Sequence, residues 1–288
     1  MSAVDSASDL GRALDGTPAD LRAHVDLLRE RVFDSARNLP QFDLLFAELL
    51  ELARSCGPSD TVVALERTLL YRRNPFAAFF RASRFVSLDC SPRSADERGA
   101  YNARLVADER FLDVPHEARR CAPERLDARD ASADVLVIPN LVHHVREQRG
   151  MFAEAHRVVR PGGRVYVFEP LLRELHQEPD DYLRYTPYGL ADVLERAGFV
   201  VNRVSRTGGP FSAIVYCWLQ ALQYVPEDQR ERLARILGHE DQRERLARWF
   251  HDEHLPELMR MDDVHRTNRV RQWTSFPTAF SVTCTKPA

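Results

Sequence analysis

Apolar residues recur along this chain with two different periods. Leu21, Val25, Leu28 and Val32 follow the three-to-four spacing of one helix face, and Leu45, Phe46, Leu49 and Leu50 repeat it within residues 42–53. Thr17-Pro18 followed by Asp20 supplies a cap, a first-turn proline and an acid near the positive end of the dipole. Two helices are therefore expected before residue 60, while residues 1–16, small and polar, are expected to fray. From residue 61 short apolar runs take over: TVVALE at 61–66, RFVSLD at 84–89, ADVLVIP at 133–139, RVYVF at 164–168, and a further strand at 199–204. An unbroken apolar run such as ADVLVIP suits a parallel strand buried on both faces. Helices are predicted between the runs, at 151–159 with Phe152, Ala155 and Val158-Val159 inward, and at 188–197, stopped by Gly198. RPGG at 160–163 is a turn, and AFSVTCT at 279–285 alternates as a closing strand. The alternation predicts an α/β fold, a doubly wound, mainly parallel sheet.

Residues 226–254 break this rhythm. EDQRERLAR occurs twice, at 227–235 and 240–248, running into Ile236-Leu237 and Trp249-Phe250. Two amphipathic helical segments divided near Gly238 are expected. The plain role is a solvated hairpin with one buried stripe; the sharper ones are a lid, a protein-partner contact or a homodimer contact. The expected organisation is an N-terminal helical segment, 1–58, and an α/β domain, 59–288, carrying a helical insertion at 222–266.

Composition narrows the function classes. The chain of 288 residues is 44% hydrophobic and 29% charged, as in soluble globular proteins. A formal charge of −3, with no basic patch interleaved with aromatics, gives no case for nucleic acid. No apolar run approaches a bilayer span and residues 1–10 hold no signal-peptide core, so a cytoplasmic location without membrane attachment is expected. The five cysteines, Cys56, Cys90, Cys121, Cys217 and Cys284, form no CxxC pair, so neither a disulfide frame nor a metal site is predicted.

The segments ADVLVIPNLVHHV, FAEAHRVVRPGGRVYVFEP and HQEPDDYLRYTPYGLADVLERAGFVV resemble the class I S-adenosylmethionine-dependent methyltransferases, most closely the branch acting on glycans and other small metabolites. GGPFSAIVY is similar to that branch's late connector and FPTAFSVTCTKP to its final strand, so the resemblance covers roughly residues 61–288. It implies a seven-stranded sheet. It also implies three contacts to the methyl donor: a glycine-rich loop after the first strand, an acid ending the second strand, and an acid after the next strand. Asp89 matches the second contact, which accepts from the adenosine ribose. Ala122 stands where the third falls, with Glu124 two residues on. The first is replaced, because no glycine occurs between Gly57 and Gly99, and Arg67, Leu69, Leu70, Tyr71, Arg72 and Arg73 occupy the loop. A Cβ obstructs the approach of backbone N–H groups to a ligand, and some loop residues of this kind need positive φ. No bound cofactor is therefore expected, with S-adenosylmethionine the alternative if the chain is an ordinary methyltransferase.

The remaining candidates lie where parallel strands end, the usual ligand edge of an open sheet. Asn140, His143 and His144 follow the third apolar run, and Glu169 ends the next. His143, His144 and Glu169 are the candidate catalytic groups, since histidine and a carboxylate can exchange protons near neutral pH. Two adjacent histidines on a regular helix cannot share one pocket. His176, Tyr182, Arg184, Tyr185 and Tyr188, with Asn140 and Arg72, are the candidate substrate-binding residues. Flat tyrosine faces and a bidentate guanidinium suit a small polar or anionic metabolite; the plain alternative is that Tyr185 and Tyr188 seat the next helix. Three functions follow: an enzyme of small-molecule (natural-product or glycan) biosynthesis that no longer moves methyl groups and performs ring closure by intramolecular displacement or elimination; an O- or N-methyltransferase of a small polar metabolite; or a silent partner subunit. The first is preferred because of the crowded loop.

Overall fold

The computed structural model describes residues 6–31, 41–67, 73–91, 105–175, 179–224, 226, 229, 232, 261 and 276–288. Helices α1 (Ser6–Leu14), α2 (Ala19–Arg31) and α3 (Gln41–Arg54) precede β1 (Thr61–Glu66). A 3₁₀ turn at Pro75–Ala78 leads to β2 (Arg84–Asp89), β3 (Glu117–Arg120) and β4 (Ala133–Pro139). Beyond a second 3₁₀ turn at Val142–His144 come α4 (Gln148–Val158), β5 (Val159–Pro170), α5 (Pro187–Arg196), β6 (Val200–Thr207), α6 (Pro210–Tyr224) and β7 (Ala279–Thr285). The seven strands form one sheet in the order β3-β2-β1-β4-β5-β7-β6. The pairs among β1 to β5 are parallel, and β7 runs antiparallel to both β5 and β6. This is the α/β fold of the class I methyltransferases.

The unbroken apolar runs are explained by two separate cores, one on each sheet face. Val62, Ala64, Val135 and Val137 point to one side with α2, α3 and the turn at Pro75–Ala78. Val63, Leu65, Leu136 and Ile138 point to the other with α4 and α5. Strand alternation divides each run between two layers, so apolar residues occupy both sets of alternating positions. Aromatic pairs knit the first layer: Phe42 on α3 lies 5.6 Å from Phe168 on β5, and Phe46 stacks on Phe79 at 6.1 Å. The N-terminal helices thus share a core with the sheet. Buried His24 on α2 fixes the β1–β2 crossover, its Nε2–H donating to Pro75 O at 2.9 Å while Nδ1 accepts from Leu112 N at 3.0 Å.

Four elements differ from expectation. Residues 6–14 are helical, with Leu10 and Ala13 buried. β3 and α6 form where neither strand nor helix was predicted. β5 starts at Val159, because the RPGG turn is paired: Gly162 N donates to Lys286 O and Lys286 N to Gly163 O, each at 2.9 Å. Both glycines are required there, Gly162 by its φ of +74° and Gly163 because a Cβ would meet Val159 Cγ1 at 2.7 Å. The repeat at 226–254 lies almost wholly outside the described residues.

Lys286 also secures the neighbouring helix end. Its ammonium donates to His156 O at 2.7 Å and Val159 O at 3.0 Å, where α4 has spare carbonyls. Lys286→Ala is expected to cost about 1–2 kcal/mol, seen as a lower urea midpoint at unchanged slope. An unshifted midpoint would show that water serves these carbonyls equally well.

Candidate functional site

The carboxyl ends of β1, β2, β4 and β5 open on one edge of the sheet. Strand order reverses between β1 and β4, which places the ligand crevice of such a sheet beside them. Glu66 and Asp89 end β1 and β2 in register. Glu66 is 4% exposed and accepts from Asn74 Nδ2, which also donates to Ser87 Oγ at 2.9 Å. Burial pushes the Glu66 carboxyl up to about 8, against the Asn74 hydrogen bond, and the nearby Asp89 charge adds to the rise. Asn74 Oδ1 in turn caps the Pro75–Ala78 turn by accepting from Phe76 N at 2.9 Å. Asp89, 1% exposed, accepts from Ser91 N through Oδ1 at 3.0 Å. Its Oδ2 faces Arg120 Nε at 3.3 Å and makes no hydrogen bond among the described residues.

The histidines sit on a 3₁₀ turn, not on a regular helix, and this brings their rings together at 3.9 Å. His143 Nδ1 lies 2.6 Å from Glu169 Oε2, and Glu169 Oε1 accepts from Val142 N at 2.7 Å. Both side chains are buried. With the carboxylate taking the Nδ1 proton bond, neutral His143 carries its lone pair on Nε2. His144 Nδ1 donates to Asp180 O at 2.6 Å, which sets the same tautomer. Asn140, just after β4, takes a left-handed φ of 58° and donates its N–H to Phe168 O at 2.8 Å. Asparagine tolerates that conformation better than a branched residue, and the bend turns the chain into the histidine segment.

Residues 179–186 lie across the histidines. Tyr182 N donates to His143 O at 2.8 Å, and Tyr182 O–H to Asp180 Oδ1 at 2.9 Å. Arg146 stands 5.1 Å above the Tyr182 ring. Asp180 reaches back to the residue after β1: Arg67 Nη2 donates to Asp180 Oδ2 at 2.8 Å and Nη1 to Asp180 O at 3.2 Å, with the Arg67 side chain only 4% exposed.

The other residues expected to contact a ligand also make contacts within the chain. Arg184 is committed to Asp181, with Nη2–Oδ2 at 2.8 Å, and to the carbonyls of Leu183 at 2.8 Å and Glu174 at 3.1 Å. It locks the loop internally. Tyr185 packs on the second core, where a Cβ on Gly189 would touch its ring at 3.3 Å. Tyr188 is 70% exposed and takes a hydrogen bond from Arg206 Nη2 at 2.9 Å. Tyr182, 37% exposed, keeps an open face. Arg72 and His176 lie outside the described residues. Sequence reasoning missed the Glu66–Asn74–Ser87 network and the pairing of Arg67 with Asp180. An acid ending β1 and a doubled aspartate in DDYLRY were the available signals. Among the described residues, no group of three His, Cys, Asp or Glu is placed to hold a metal, and no helix is long and apolar enough to cross a membrane.

Residues 73–167 match the family model described as a methyltransferase domain. No curated protein matches the chain in sequence. Among solved structures, the [4+2]-cyclase SpnF is similar at 15% identity and a TM-score of 0.52, covering 100% of this chain and 98% of its own. A structure from Bacillus halodurans C-125 bearing a provisional methyltransferase assignment is similar at 14% identity and a TM-score of 0.50, covering 84% of this chain and 98% of its own. A chain from the complex of the Haloferax volcanii Trm112 methyltransferase activator with a provisionally assigned methyltransferase reaches 17% identity and a TM-score of 0.47, covering 96% and 97%.

Proposed function

From a chain with the class I methyltransferase fold, we propose an enzyme that moves protons rather than methyl groups, closing a ring or eliminating a leaving group on a small polar metabolite. The observation that carries this is the buried Arg67–Asp180 pair at 2.8 Å. It fills the start of the segment that, in the resembling family, admits the amino-acid end of S-adenosylmethionine. The sequence of this segment also places bulky Leu69, Leu70, Tyr71 and Arg72 after Arg67, with no glycine between Gly57 and Gly99. The methyl donor therefore does not fit here in the family's manner, and no step is routed through it.

In this reading the working group is the His143–Glu169 pair, 2.6 Å apart. Glu169 holds the imidazole so that Nε2 takes a proton from the substrate, and its carboxylate stabilises the imidazolium that results. The deprotonated atom attacks an electrophilic carbon of the same molecule, or its electron pair forms a double bond. The leaving group departs with its electrons and recovers the proton from His143. Segment 179–186 shields the pair from water and admits substrate when it shifts. One similar fold houses a [4+2]-cyclase; that likeness supports the scaffold's capacity for ring closure, while the chemistry rests on this chain's own residues.

A second reading, the methyltransferase of a small polar metabolite, is favoured by Asp89, whose buried Oδ2 makes no hydrogen bond among the described residues and suits a ribose hydroxyl. Calorimetry separates the two. S-adenosylmethionine and S-adenosylhomocysteine are expected to give no binding heat, and low-micromolar affinity for either would sink the first reading. With a panel of small polar metabolites followed by NMR, His143→Asn and Glu169→Gln are each expected to slow turnover by about 10²–10⁴ at similar KM. Undiminished turnover in both variants would remove the pair from catalysis.

A further inference from the structure

Beyond that function, we propose that Cys90 and Cys121 form a redox-active dithiol, a modification site that a hydroperoxide converts reversibly into a disulfide. The sheet itself brings the two sulfurs together. Asp89 and Arg120 are register partners at the ends of β2 and β3, and Cys121 N donates to Asp89 O at 3.1 Å. Cys90 and Cys121 are the next pair along, so they share the opposite face of the sheet. Their Sγ atoms lie 3.9 Å apart. Neighbouring strands stand about 4.8 Å apart, inside the roughly 4.4–6.8 Å that a disulfide spans between Cα atoms. Side-chain rotation is enough to close the remaining gap.

The two thiols differ in character. Cys90 is 9% exposed and belongs to the second core, while Cys121 is half-buried at its margin. Either sulfur can donate in this contact; the contact raises the Cys90 thiol, which burial raises further, and lowers the Cys121 thiol. Cys121 is the sulfur that solvent reaches more readily, which makes it the attacking thiolate and Cys90 the resolving thiol. Cys121 sulfur attacks the hydroperoxide, the O–O bond breaks, and the alcohol or water leaves with a proton, giving a sulfenic acid on Cys121. Cys90 sulfur then attacks Cys121 sulfur, the S–O bond breaks, and hydroxide departs with the Cys90 proton as water. Two thiols are oxidised and one hydroperoxide is reduced. The crosslink ties edge strand β3 to β2 directly beside the Asp89–Arg120 pair, at the margin of the candidate site.

The test uses the full chain. It is titrated with hydrogen peroxide, quenched, denatured, alkylated with N-ethylmaleimide and digested for mass spectrometry. The expected result is joint loss of alkylation at Cys90 and Cys121, a crosslinked peptide lighter by two hydrogens, and full recovery with dithiothreitol. Exposed Cys217 serves as the internal control. In Cys90→Ser, dimedone should trap the sulfenic acid on Cys121; in Cys121→Ser, Cys90 should stay reduced. Oxidation of Cys217 while Cys90 and Cys121 alkylate fully would overturn the proposal. So would a crosslink found only between chains. The wild-type measurement decides the matter even if a serine variant fails to fold, and it does not depend on the His143–Glu169 reading.

Discussion

Asp180→Ala is expected to destabilise the protein by about 3 kcal/mol, well above the worth of a surface ion pair. The reason lies in the partner left behind. Arg67 is 4% exposed along its side chain, whereas Asp180 is 20% exposed. Removing the carboxylate strands a guanidinium that has little water to replace it. Removing Arg67 instead leaves a carboxylate that water can still reach, so Arg67→Met should cost about 1 kcal/mol. The double variant should resemble Arg67→Met alone, giving a coupling energy of about 3 kcal/mol in the thermodynamic cycle. Hydrogen exchange supplies a second readout. The Tyr182 amide is bonded to His143 O at 2.8 Å, and Asp180 anchors the segment two residues earlier. Its protection should fall in Asp180→Ala more than that of amides in β4. Additive single effects, with Tyr182 protection unchanged, would show that the pair neither holds the segment nor fills the crevice.

Such pairs explain why the fold was more legible than the site. β1, β2, β4 and β7 have the bounds that their patterns predict, because their buried centres are mainly apolar and polar residues such as Thr61, Glu66, Arg84 and Asp89 mark the ends of β1 and β2. β3 reads EARR; it is a short edge strand paired only with β2, and its polar side chains carry no strand signal. α6, PFSAIVYCWLQALQY, is apolar nearly all round and lacks the contrast of faces that marks a surface helix. At the site, position on a strand end was readable: Asp89, His143 and Glu169 were named from their strand ends. Partnership was not. Arg67 and Asp180 are separated by 113 residues, and nothing in either segment encodes the other. Arg184 was expected to serve a ligand because guanidinium groups suit anions, and the sequence did not show that it also pairs with Asp181 three residues away. The adjacent histidines were judged by helical geometry; a 3₁₀ turn opening on the left-handed Asn140 obeys a different one.

The second large effect concerns Glu66 and its sign. This carboxyl is held at about 8 in the folded chain, far above its ordinary value near 4.5, chiefly because it is buried. Between those limits the folded state keeps a proton that the unfolded chain has released. Stability from this group is therefore full at low pH and is lost as pH rises, by about 1.4 kcal/mol per pH unit, or about 4 kcal/mol from pH 5 to 8. Buried His24, whose imidazole burial drives down, has the opposite sign: its penalty is felt below its ordinary value near 6.5. The bare pH profile mixes the two, and a comparison of variants isolates Glu66. Glutamine has the shape of the protonated carboxyl and carries no charge. Glu66→Gln retains a carbonyl acceptor for Asn74 and should lose the downward slope across pH 5–8, becoming more stable relative to wild type as pH rises. Above about pH 8 the two curves should run parallel. Urea unfolding of both proteins at each pH measures the difference directly. Parallel curves throughout pH 5–8 would mean that Glu66 is ionised at neutrality, and the crevice between β1 and β2 would then carry two neighbouring negative charges where one is inferred.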